Sequence, residues 1–148
     1  YDFVDNDNVF FFGHSMGGGI SLRVLTVSTD IKAAVLYGSM NADEIKNGDQ
    51  IRNVFRRVKR IEEDDVPLER FAEISPSGYL GDITAAISIQ HGERDDQVPL
   101  QWSRDLSAQL GALGKSVELH TYPRQGHSLQ GQALTTMMTR VTAFFRKM

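Results

Sequence analysis

At 148 residues, 41% of them hydrophobic and 24% charged, the chain has the composition of one ordinary globular domain and not of a disordered segment. A formal net charge of −3 offers no general attraction to nucleic acid or to an anionic membrane. Cysteine is absent, which excludes a disulfide framework, a thiol nucleophile and a cysteine-ligated metal, and favours a reducing, cytoplasmic compartment. No apolar run approaches the roughly 20 residues that span a bilayer, and no signal peptide is visible from Tyr1 onward.

Val9 to Phe12 is the first continuous apolar run and reads as a buried strand. After Ser15, residues Ile20, Val24, Leu25 and Val27 recur near helical spacing, and Ala33 to Tyr37 forms a second apolar run. The stretch 41–82 is too long for a simple crossover. Within it Ile51, Val54, Phe55 and Val58 mark an amphipathic helix, and the basic Arg56-Arg57-Val58-Lys59-Arg60 precedes the acidic Glu62-Glu63-Asp64-Asp65. The opposed charges argue against a nucleic-acid patch, and the stretch reads as a cap or lid with its charges in solvent.

Ala85 to Ile89 is the third apolar run. From Trp102, the series Leu106, Leu110 and Leu113 predicts a helix, with Gly114 placed to cap it. Val117 to Tyr122 alternates apolar with polar residues, as an edge strand does, and Leu134, Met138, Val141 and Phe145 mark a final helix. Continuous apolarity suits parallel strands covered on both faces. The expectation is an α/β domain over residues 1–148: a mostly parallel sheet of about four strands flanked by helices, with a small helical cap at 41–82.

Gly13-His14-Ser15-Met16-Gly17 fits G-x-S-x-G, and it lies where that motif requires, after a strand and at the start of a helix. A turn this sharp strains the central residue, and side chains two positions away would collide, which accounts for Gly13 and Gly17. The Met16 backbone N–H then faces a site where an oxyanion could form. Gly17-Gly18-Gly19 lacks the Lys-Ser/Thr of a phosphate-binding loop.

A serine hydroxyl needs a base, and the base a partner that fixes its tautomer. Candidates follow in the order Ser, acid, His. The third strand leads into His91-Gly92-Glu93-Arg94-Asp95-Asp96-Gln97-Val98-Pro99, and the fourth into Gly126-His127-Ser128. Loops at the carboxyl ends of parallel strands share one face, so Ser15, an acid and His127 can converge there. His14, His91 and His120 fit the base role less well, and no spacing among them suggests a metal site.

These residues resemble the α/β-hydrolase superfamily, most closely its esterase and prolyl-oligopeptidase-like branches. The resemblance runs over nearly the whole chain: the acidic turn Val4 to Asn8, the elbow Gly13 to Gly18, Ser75-Pro76 before the third strand, the phrase His91 to Pro99, and Gly126-His127. It implies that Asp95 is the triad acid, with Asp96 as the alternative, and that His127 is the base. The chain departs from the pattern by supplying only the last four strands, about half of the family core. The missing half normally donates the second oxyanion N–H. Two arrangements follow: a longer chain, or a minimal hydrolase that completes its sheet by self-association along the exposed elbow strand.

The function expected from sequence is a serine hydrolase, a carboxylesterase on small acyl esters, acting through an acyl-enzyme on Ser15 with Asp95 and His127 and without a cofactor or metal. A peptidase or thioesterase would use the same triad. A reading from another class is a non-catalytic module that recruits a partner by strand addition.

Overall fold

A computed structural model describes residues 5, 7–54 and 68–148. Four strands run in chain order across one sheet: β1 (Val9–His14), β2 (Ile31–Tyr37), β3 (Ala86–Gly92) and β4 (Val117–Tyr122). All three pairings are parallel, with Phe11 beside Ala34, Leu36 beside Ile89, and Ile89 beside Leu119. Each crossover carries helix: α1 (Met16–Leu25) between β1 and β2, α2 (Glu44–Val54) and α3 (Leu68–Ile74) between β2 and β3, and α4 (Leu100–Ala112) between β3 and β4. A final helix, α5 (Gly131–Phe145), follows β4.

The apolar runs are continuous because the sheet has helices on both faces. Ala34, Leu36, Ile87 and Ile89 pack with Leu22 and Leu25 of α1 and Leu106 and Leu110 of α4. Ala33, Val35 and Tyr37 turn the other way, onto Met137, Val141 and Phe144 of α5. Every residue of β3 is buried, whereas β1 and β4 are only partly so, as befits the two edges. The expected four-strand parallel α/β architecture is what the chain adopts.

Helix faces were less legible than strands. In α1 the residues turned to the sheet are Gly18, Gly19, Ser21, Leu22 and Leu25, while Ile20 and, just beyond the helix, Val27 are exposed. In α5 the buried stripe is Met137, Val141 and Phe144, so Leu134 and Met138 face outward. The α4 reading held at Leu106 and Leu110, but Leu113 lies exposed at the cap and Gly114 takes a left-handed φ of 70° just past it. Between β2 and β3, α2 ends at Val54, and 310 turns at Pro76–Gly78 and Leu80–Asp82 return the chain to the sheet. Phe55, Val58 and the two opposed charge runs lie outside the described residues. None of the described helices is long and apolar enough to cross a membrane.

The two faces of α5 give a direct test. Met137→Ala removes a side chain that is 1% exposed and is expected to cost about 2–5 kcal/mol. Leu134→Ala, on the outer face, is expected to stay within about 0.5 kcal/mol. Urea unfolding of the two variants measures both.

Candidate active site

The junction of β1 and α1 supplies the centre of the site. Ser15 takes φ 56° and ψ −122°, a conformation in which a residue with a Cβ is strained. Its N–H donates to the Tyr37 carbonyl at 2.9 Å, and its own carbonyl accepts from the N–H groups of Gly18, Gly19 and Met40. Those bonds tie the turn to the end of β2. A Cβ on Gly13 would lie 2.6 Å from the Gly17 carbonyl oxygen and 2.6 Å from Ser21 Oγ, so Gly13 is required for α1 to double back against its own strand.

Gly17 departs from expectation. A Cβ there would meet nothing within 4 Å among the described residues, because position 17 faces away from the strand. The close approach falls one residue later, at Gly18, whose added Cβ would sit 2.6 Å from Ser39 Cβ. Met16 opens α1, where a helix leaves its N–H groups without intrahelical partners. This is the position required of an oxyanion donor.

Asp95 and His127 meet as expected. Nδ1 of His127 lies 2.8 Å from Asp95 Oδ2. A carboxylate only accepts, so Nδ1 carries the proton and the Nε2 lone pair is left free. Asp95 Oδ1 accepts from the backbone N–H groups of Gln97 and Val98, each at 2.9 Å. Burial alone would raise the Asp95 pKa. The His91 ring beside it, the Val98 N–H, the bond to His127 and the Gln97 N–H together outweigh burial and hold the carboxyl well below its ordinary range. Asp96, the alternative acid, is exposed. Gly38 lies beneath the pair, where an added Cβ would come 3.3 Å from Asp95 Oδ2 and 3.4 Å from His127 Nδ1.

No hydrogen bond joins Ser15 Oγ to His127 among the described residues. The two loops are nevertheless tied together. His14, the neighbour of Ser15, has Nε2 3.1 Å from the His127 carbonyl oxygen, to which it donates. Its ring stacks on Tyr37 at 4.3 Å and lies 4.7 Å from the His127 ring. Burial lowers the His14 pKa against the opposing pull of that carbonyl, which favours the neutral ring. The Tyr37 hydroxyl accepts from the N–H of Leu129, so the His127 loop is held on both sides.

The sequence sets His14 and His91 aside as bases and shows Tyr37 only as a strand residue, so their supporting contacts are not foreseen. Their signals were indirect: a histidine next to the serine, a tyrosine ending an apolar run, and a histidine four residues before the acid. Among the described residues no cluster of His, Asp and Glu is arranged to hold a metal ion.

The fold is that of the α/β-hydrolases: the chain superposes on the uncomplexed acylaminoacyl peptidase of Pyrococcus horikoshii with a TM-score of 0.79 at 22% identity, covering 97% of this chain and 24% of that one. The profile of the prolyl oligopeptidase family matches residues 1–148, and the chain belongs to that family. It is 27% identical over 127 residues to the uncharacterized peptidase YuxL of Bacillus subtilis (strain 168), and 28% identical over 128 residues to the uncharacterized peptidase YtmA of the same organism. Those alignments take in 85% and 84% of this chain, but the chain spans only 19% of YuxL and 49% of YtmA.

The depressed Asp95 pKa has a defined consequence for stability. Its contribution is complete above the unfolded value of 3.8 and is lost as the pH falls through the lower folded value. Urea midpoints measured against pH are therefore expected to drop as the solution is acidified below 3.8, and Asp95→Asn is expected to remove that part of the drop.

Proposed function

We propose that this chain carries the acyl-transfer site of a serine hydrolase, with Ser15 as nucleophile, His127 as general base and Asp95 as the group that orients the base. The observation that carries the reading is the 2.8 Å contact between His127 Nδ1 and Asp95 Oδ2, at the same sheet end as the strained Ser15. With Nδ1–H held by Asp95, Nε2 of His127 is the basic atom that takes the Ser15 proton as Oγ attacks a carbonyl. The Met16 N–H stabilises the resulting oxyanion, and the start of α1 adds the positive end of its dipole. His127 then returns the proton to the leaving group. Water, activated by the same imidazole, releases the acid from the acyl-enzyme.

Peptide bonds are the favoured substrate class, ahead of the small esters expected from sequence. Membership of the prolyl oligopeptidase family and the peptidase names of both Bacillus relatives support that choice. A peptide differs from an ester in its poorer leaving group, so it depends more heavily on His127 acting as an acid in the second half of acylation. Simple esters place a smaller demand on the same machinery and remain the second reading.

Labelling with a fluorophosphonate, followed by assays on an N-acyl-peptide p-nitroanilide and on p-nitrophenyl butyrate, tests the proposal. The expected result is one label per chain, absent from Ser15→Ala, with amide hydrolysis about 10,000-fold or more below wild type in that variant. Ester hydrolysis without amide hydrolysis would favour the esterase reading. An unlabelled wild-type chain would overturn the catalytic one in favour of a binding module.

A further inference from the structure

The triad contacts leave one fully buried titratable group unused. His91 is 0% exposed at the end of β3, beside the Asp95 carboxylate. Its Nε2 lies 3.0 Å from the Val98 carbonyl oxygen and 3.2 Å from Asp95 Oδ2. Both are acceptors, so Nε2 carries a proton. On the far side of the ring, Nδ1 lies 2.7 Å from the hydroxyl of Ser103, which is 3% exposed on α4. With Nδ1 accepting from Ser103, both ring nitrogens are satisfied in the neutral state, and one tautomer is selected.

We infer that His91, locked by Ser103, is a positioning residue for the proposed acyl-transfer reaction: it fixes the Asp95 carboxylate in the rotamer that presents Oδ2 to His127. The inference rests on the assignment of Asp95 and His127 given above. Two bonds define one carboxylate edge, since Oδ1 takes the N–H groups of Gln97 and Val98. Oδ2 is shared between the rings of His91 and His127. Without His91, Oδ2 would have a single side-chain donor, the ring of His127, and the buried Val98 carbonyl would lose its partner. The contact also sets the loop, because the residue whose carbonyl accepts from His91 is the residue whose N–H holds Oδ1. His91 thus grips the carboxylate directly and through its backbone cradle, and Ser103 extends the line of bonded groups from His127 back into α4.

The chemistry selects the test variants. In His91→Gln the amide nitrogen can reach the Nε2 position and still donate. In His91→Asn the shorter amide reaches only the Nδ1 position, and His91→Met fills similar space without a donor. Proton NMR of the chain reads the downfield His127 Nδ1–H resonance, which reports its bond to Asp95 without any need for turnover. Expected are a wild-type-like resonance in Gln and a shifted or lost one in Asn and Met. Steady-state assays are expected to show kcat lower by about 10- to 100-fold in Asn and Met, with KM within about twofold and Gln near wild type. If Met does not fold, the contrast of Asn with Gln stands in its place. A wild-type resonance and kcat in Asn, or equal losses in Asn and Gln, would overturn the inference. Absence of fluorophosphonate labelling in wild type would instead overturn the serine-hydrolase reading, and the resonance would still decide the role of His91.

Discussion

The left-handed backbone at Ser15 is the constraint on which the rest of the site depends. A non-glycine residue pays on the order of 1–3 kcal/mol for such a conformation, and here the surroundings over-determine it. Its amide is bonded to the end of β2, and its carbonyl accepts from three N–H groups on two segments. Relaxing φ at this residue would break those bonds together and lift α1 from the sheet. Gly13 and Gly18 exist in this arrangement because the helix must return so closely that a methyl group at either would overlap its neighbours. Three consecutive glycines in the first turn weaken the helix by about 1 kcal/mol each. Burial of Leu22 and Leu25 beneath the sheet offsets that loss.

From that fixed point the sheet distributes the remaining groups. Parallel strands put their carboxyl ends on one side, so the loops after β1, β2, β3 and β4 contribute Ser15, Gly38, Asp95 and His127 to one region. The rings of His14 and Tyr37, paired in register on adjacent strands, hold the His127 loop from below. Asp95 is the most constrained of the three polar side chains. It is buried, stays ionised because four donors surround it, and leaves His127 one tautomer.

Much of this was legible in the sequence, and the reasons are physical. The strands could be read because burial on both faces leaves an uninterrupted apolar run, as in Ala33 to Tyr37. Ser15, Asp95 and His127 could be read because each sits just after a strand, in the order this chemistry requires. Helix faces were harder. A residue such as Leu134 obeys helical spacing whether it faces the core or solvent, and one rotation of the stripe separates Leu134 and Met138 from Met137 and Val141. Gly17 misled for a related reason: a motif records which letters recur, while the close contact depends on helix phase and falls at Gly18. His91 was hidden because its partners come from β3, its following loop and α4, an encounter that only the folded chain creates.

The connection between β2 and β3 leaves the sheet after Tyr37 and rejoins it at Ala86, with Met40 and Ile83 buried near its two ends. Met40 N–H holds the Ser15 carbonyl, and Ile83 belongs to the core beneath α4, which Ala42 and Leu80 of the same connection also join. Lengthening a closed loop is cheap, about 0.6 kcal/mol for each doubling. A change of length between the packed positions can therefore be absorbed while those positions keep their places. Changes in the length of this connection and changes at the strand ends are then separable in this architecture, free to accumulate at different rates.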